Sequence, residues 1–268
     1  MGFMARRLFG FGLILLVGAA FALVFHILDL TILLHQHYSG WTLMILIALA
    51  GLYGVRKQLR IFPIGKSSLW AYCHYIFGFL AIIMMIIHFN YTSDRSVIEQ
   101  ALFFLTHFVA ITGVVGWIIN RLFAKRLSVL GDQVTYERIP EFVHIAKLEA
   151  EGLVKECVEK SNSTTLLDIY ENHLVQYLSK PAFTWAHIFG ANRLFNRVRE
   201  RLYRQHRYLN KSEIEYAVRL EQVLMKKNIL DAHFALQSTL KFWPVLHLPT
   251  TVAVLCLLVL HVLLVYAY

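Results

Sequence analysis

Cysteine is scarce in this chain. Cys73, Cys157 and Cys256 form neither a CxxC pair nor a CxxCH motif. A disulfide framework is therefore not expected, and any haem would be held without thioether links. Cys73 and Cys256 fall in apolar runs, where a cysteine serves as a small packing residue. Charge is scarce too: 16% of the 268 residues are charged against 57% hydrophobic, with a mean hydropathy of +0.54. A soluble domain of this length is not that apolar, and several membrane spans are expected. There is no GxGxxG, no GxxxxGK[ST] and no nucleic-acid-binding motif, so neither a nicotinamide or flavin fold nor a nucleic-acid partner is expected.

Acid is the rarer sign of charge, and the formal net charge is +9. The basic excess sits at the ends of apolar runs, where Lys and Arg orient a membrane protein. Five runs are long enough for a hydrocarbon core that takes roughly 20 helical residues to cross: about 8–34, 38–55, 68–91, 99–120 and 243–268. The first resembles a signal peptide, with "AFA" at 20–22 as a cleavage site. Its apolar run continues to Leu34, beyond a signal-peptide core, so it is read as a retained span.

Arg6 and Arg7 precede span one; Arg56, Lys57, Arg60 and Lys66 fill the loop after span two; Arg121, Lys125 and Arg126 follow span four. The opposite loops hold Arg95 alone, beside Asp94 and Glu99. The expectation is an integral protein of a bacterial inner membrane, with the N-terminus and residues 121–242 cytoplasmic and the C-terminus outside. Spans three and five then run in the same direction. The fold class is all-α: a five-helix transmembrane bundle with a mainly helical insertion between helices four and five.

In the insertion, Gly131-Asp132 between β-branched residues predicts a short hairpin over 127–138. Beyond it, "EFVHIAKLEAEGLVKECVEK" and "TLLDIYENHLVQYLSK" show helical periodicity, and "HIFGANRLFNRVRERLYRQHRYL" reads as a strongly basic amphipathic helix. "SEIE" at 212–215 has the form of a capping box, opening a helix that runs to about Lys241 before Pro244. This insertion is either a docking domain or a brace for the spans.

Thirteen histidines are present, and four are patterned. His74 and His88 in span three are fourteen residues apart, as are His247 and His261 in span five. Fourteen residues make nearly four helical turns, so each pair shares one helix face, with about 21 Å along the axis between its members. Ionisable side chains within a span mark a functional site. With parallel helices, His74 meets His247 near the inner face and His88 meets His261 near the outer face. That arrangement suits two haem b groups, each with one axial imidazole from each helix. The alternative is four unrelated histidines satisfied by backbone or hydroxyl partners.

These paired histidines resemble the di-haem core of cytochrome b in quinol–cytochrome c reductases. They are also similar to the membrane domain of ferric reductases and NADPH oxidases, where the pairs fall on the third and fifth spans. "TGVVGWIINRLF" in span four is similar to the corresponding ferric-reductase helix. The resemblance covers the spans and rests mainly on the four histidines. It implies transmembrane electron transfer through two haems. The flavin/nicotinamide domain of ferric reductases is not found after His261, and those proteins lack a helical insertion of this size, so a self-contained NADPH-fed reductase is not expected.

Gly78, four residues after His74, lies on the ligand face, where it either admits a porphyrin or packs a helix. Arg56, Lys57, Arg60 and Lys66 on the inner side and Arg95 on the outer are the basic candidates for haem propionates, with plain anchoring as their other reading. His26, Asp29 and His107, with His35 and His37 nearby, form an outer polar cluster that suits proton exchange with a quinone, further metal ligation or simple interfacial satisfaction. Three functions remain open. One is an electron-conducting subunit of a larger complex, partnered by a periplasmic cytochrome c or multihaem protein, or by a cytoplasmic iron–sulfur protein or flavoprotein. The others are a reductase or quinol-oxidising enzyme in its own right, and a haem-free metal-binding channel or assembly factor.

Overall fold

A computed structural model describes residues 16–24, 27, 35–58, 65–89, 96–131 and 134–267. Helices dominate, and no strand occurs among the described residues. In order they are α1 (His35–Gln58), α2 (Ser67–His88), α3 (Val97–Val129), α4 (Ile139–Ser161), α5 (Thr165–Ile169), α6 (Val175–Leu178), α7 (Trp185–Ile188), α8 (Arg193–Gln205) and α9 (Lys211–Ala267). Four of these are long and apolar enough to cross a membrane: α1, over His37–Lys57, and α2, α3 and α9. The fifth expected span falls on residues 16–24 and 27, which are helical, and on residues outside the described set.

The chain divides into two compact units, Met1–Ile118 with Pro244–Tyr268, and Ile119–Trp243. In the first unit, α2 is apolar all round, the pattern of a helix surrounded by apolar material. Its Leu80, Met84 and Met85 are buried with Leu43 and Leu46 of α1, and Val17 and Phe21 pack against them. Gly18 faces the Ile83 side chain of α2, whose terminal methyl a Cβ there would push aside.

In the second unit, α4 begins with Pro140 in its first turn, where the missing N–H has no helical partner to lose. It buries Val143, Ala146, Ala150, Leu153, Val154 and Cys157, a stripe at helical spacing, and ends on Asn162 with φ 50°. Between α5 and α6 lies one π-helical turn, Tyr170–Leu174. Phe195, Val198 and Leu202 of α8 and Tyr216, Leu220 and Leu224 of α9 close the same core. Within this unit Lys227 and Asp231 are fully buried together, 2.7 Å apart, one turn apart on α9. The ammonium lies 3.9 Å from the centre of the Tyr177 ring, and Asp231 also accepts the Ala182 N–H at 2.8 Å.

Three expectations need correction. The hairpin over 127–138 does not form: α3 continues through Val129, and Tyr136–Arg138 is a 3-10 turn, with 132–133 outside the described residues. The run "RLFAKRLSV" carries on the helical pattern of span four, and Gly131, at φ 97°, stops it. Span five is not a separate helix beginning near 243: α9 is one helix of 57 residues that contains both Pro244 and Pro249. The hydroxyls of Thr250 and Thr251 donate to the carbonyls of Leu246 and His247 on the turn that Pro249 disturbs, as hydroxyl side chains do around prolines in apolar helices.

The third correction is the cap of α9. Asn210 Oδ1 accepts the Glu213 N–H at 2.8 Å, and Glu213 Oε2 accepts the Asn210 N–H at 2.9 Å. The capping box is therefore Asn210/Glu213, two residues before the Ser212/Glu215 pair. Asn210→Ala should lower stability by about 1 kcal/mol, whereas Ser212→Ala should stay within about 0.5 kcal/mol of the parent. Thermal unfolding followed by far-UV circular dichroism checks the difference; a larger loss at Ser212 would return the cap to that residue.

Candidate functional site

His74, on the second turn of α2, and His247, between the two prolines of α9, line one cavity. His88, the last residue of α2, and His261 of α9 line another. Each cavity takes one histidine from each helix in the same order, so α2 and the end of α9 run in the same direction. Along each helix the two histidines are about 21 Å apart, and the cavities share Leu43, Ile47 and Thr106 in their linings.

The His74/His247 cavity is called inner and the His88/His261 cavity outer after the sequence expectation, and in the inner one hydrogen-bond partners set the role of each ring nitrogen. The Ala50 carbonyl lies 2.9 Å from His74 Nδ1 and can only accept, so Nδ1 carries the proton and Nε2 of the neutral ring carries the lone pair. Thr112 Oγ1 lies 2.9 Å from His247 Nδ1. The single hydroxyl hydrogen of Thr112 serves the carbonyls of Phe108 or Val109 one turn back, at 2.9 and 3.1 Å, so its oxygen accepts from His247 Nδ1–H. Both imidazoles thus hold the tautomer that presents Nε2 as a donor, the arrangement that orients histidine ligands in metal sites.

Small residues open this cavity. A Cβ on Gly78 would meet nothing within 4 Å, and one on Gly113 would lie 3.6 Å from the His247 ring. Phe79 and Trp117 meet edge to face, with ring centres 5.6 Å apart, on the same lining. The inner cavity measures about 120 Å³ and the outer one about 380 Å³. Ligand pockets run to roughly 300–1,000 Å³. The outer cavity is within that range, and a porphyrin in the inner one requires lining side chains to move apart.

Around the outer cavity, His88 Nδ1 lies 3.0 Å from the Oγ of the buried Ser39. Gly40 lets that ring lie against α1: a Cβ there would come within 2.9 Å of it. His37, Glu99 and Thr106 add polar groups to the lining. Trp41 Nε1–H donates to the Tyr266 hydroxyl at 2.9 Å, tying α1 to the end of α9 beside the cavity.

Of the remaining sequence candidates, Gly78 is in the inner cavity with His74 and His247. His107 lines neither cavity; its Nδ1 donates to the Phe103 carbonyl of its own helix, and its ring packs on Phe103 and Phe89. His26, Asp29 and Arg95 lie outside the described residues. Arg56 donates to the Gly65 carbonyl and lies over the Trp70 ring. The sequence reading missed Ser39, Gly40, Glu99, Thr112 and Gly113 as parts of the two cavities. Thr112 and Gly113 open the span-four motif "TGVVGWIINRLF", which was the available signal. Among the described residues no group of three or more His, Cys, Asp or Glu comes together as metal ligands. A metal at either cavity would take the histidine pair and find its other ligands in a cofactor.

No protein family matches the chain, and no curated protein or solved structure matches it.

Proposed function

We propose that this chain is an integral-membrane b-type cytochrome: an electron-transfer subunit that binds two haem b groups in a five-helix bundle. His74 and His247 would hold one haem, His88 and His261 the other. The observation that carries this reading is the double match: two pairs with equal spacing on two helices, each pair lining its own cavity. The donor set fits the group, since each pair offers two imidazoles, and at the inner pair both are set in the Nε2-donor tautomer.

Haem iron, when bound, supplies one-electron chemistry. The chain's own part is to orient the rings through Ala50, Thr112 and Ser39, to exclude water at the His74/His247 site with its apolar lining, and to fix the spacing of the two sites. Residues Ile119–Trp243 would face the cytoplasm and dock another redox subunit, with a periplasmic cytochrome c or multihaem protein as the outer partner. A second reading, a quinol-oxidising enzyme, draws on His37 and Glu99, two proton-accepting side chains on the outer lining. Turnover of the purified chain with quinol alone would favour it.

The test is the purified protein's spectrum before and after dithionite. About two haem b per chain, released by acidified acetone, with the sharp α band of low-spin bis-histidine haem, is the expected result. A folded, colourless preparation would overturn the reading.

A further inference from the structure

Phe183, Trp185 and Phe189 are 42%, 69% and 82% exposed, three large aromatic side chains within seven residues of the second unit. Their backbone is tied down by hydrogen bonds. Thr184 caps α7, accepting the His187 N–H, and the Phe183 and Trp185 rings meet edge to face with centres 5.7 Å apart. The carbonyls of His187 and Ile188 accept from the Arg126 guanidinium of α3, while Ile188 is buried with Phe123, Ala235 and Leu236. Arg126 is seven residues beyond Ile119, where the second unit begins, which is about 10 Å of helix. The aromatic segment is thus held at the end of the unit where α3 enters it.

The chain that follows is basic. Arg193, Arg197, Arg201 and Arg204 recur at helical spacing along α8, on the side away from the buried Phe195, Val198 and Leu202. Between Lys180 and Tyr208 the only acid is Glu200, an exposed partner of Arg204 at 3.6 Å. Exposed aromatics beside clustered arginines match the chemistry of an anionic lipid surface, where rings settle among headgroups and guanidinium groups meet phosphates. We propose that Phe183, Trp185 and Phe189 insert into the headgroup layer of an anionic bilayer, with Arg193 and Arg197 on lipid phosphates. The inference rests on the reading that α3 spans that bilayer, and short chain distance plus charge complementarity select lipid as the occupant.

The test uses the full chain in vesicles of equal parts phosphatidylcholine and phosphatidylglycerol, with Cys73 and Cys256 replaced by alanine; Cys157 is fully buried. A nitroxide on Phe189→Cys is compared with one on Glu159→Cys, an exposed site of α4, and one on Phe104→Cys, an exposed site of α3. Power saturation then reads collisions with oxygen, concentrated in lipid, and with a water-soluble nickel chelate. The label at 189 should collide several-fold more with oxygen than with nickel, and the label at 159 the reverse. Charge reversal by Arg193→Glu with Arg197→Glu should raise nickel collisions at 189 several-fold. If 189 behaves like 159 while 104 reports lipid, the anchor is wrong and the spanning reading stands. If 104 is in water, both fall. If 189 is shielded from both reagents, a protein surface covers the patch and the lipid assignment is overturned.

Discussion

In chains carrying His88→Ala or His261→Ala, the haem b recovered on purification should fall from about two per chain to about one, and the same should hold for His74→Ala or His247→Ala. The two variants of one pair should leave the same residual spectrum, and the two pairs should leave different ones. The reason is geometric: each cavity is lined by one histidine from α2 and one from α9, so under the proposed ligation either loss removes half the protein ligands at one site and none at the other. Thr112→Val is the milder relative of His247→Ala. It keeps the imidazole but removes the acceptor of its Nδ1–H, and such partner losses lower metal affinity by roughly 10–100-fold. His107→Ala should retain both haems, since His107 lines neither cavity. Haem extraction and reduced-minus-oxidised spectra check the whole set. Loss of a haem in His107→Ala, with both kept in His88→Ala, would show the pairing to be wrong.

Lys227→Met should destabilise the second unit by about 3–5 kcal/mol, because it leaves a buried carboxylate without its counter-ion. Both partners are fully buried. Burial pushes the Asp231 carboxyl up from the usual carboxylate range and the Lys227 ammonium down, while each partner opposes the shift of the other. Without Lys227 the folded-state pKa of Asp231 rises further. A raised folded pKa contributes stability that is fully present below the unfolded value of about 3.9 and is lost as pH rises through the folded value. The deficit of Lys227→Met should therefore be largest near neutrality and shrink toward pH 4. Adding Asp231→Leu should recover most of it, less the penalty of leaving the Ala182 N–H without its acceptor, about 1–3 kcal/mol. Denaturant unfolding followed by circular dichroism at the two pH values reads both effects. Equal deficits at pH 4 and pH 7 would contradict the account.

The equal fourteen-residue spacings in spans three and five were legible in the sequence because helical rotation converts spacing into a shared face, whatever the neighbours do. What lay hidden was the shell around them. Nothing in the residue order brings the Ala50 carbonyl to His74, since that contact depends on how α1 and α2 pack. The Asn210 cap was missed for a different reason: "NKSEIE" holds two overlapping capping registers, and only the observed helix start selects between them. The hairpin failed because the helix before Gly131-Asp132 propagates through Val129 and leaves no strand on that side of the turn to pair with Val134 and Thr135. The join in α9 was hidden by two prolines that read as a boundary and are instead accommodated within one helix.

The two hydrogen bonds that orient the inner histidines differ in what they are made of. His247 leans on a side chain, Thr112, whereas His74 leans on the main chain at Ala50. Every residue type has a carbonyl, so no point substitution at position 50 deletes the His74 partner as long as α1 stays helical. At position 112 a single replacement does. Heritable variation can thus reach the inner pair through one ring and not the other: the His74 side is robust to sequence drift, and the His247 side is the adjustable one. Natural tuning of this pair is therefore expected to surface at position 112, with Thr and Ser as the conservative states, while position 50 drifts among residues of compatible size.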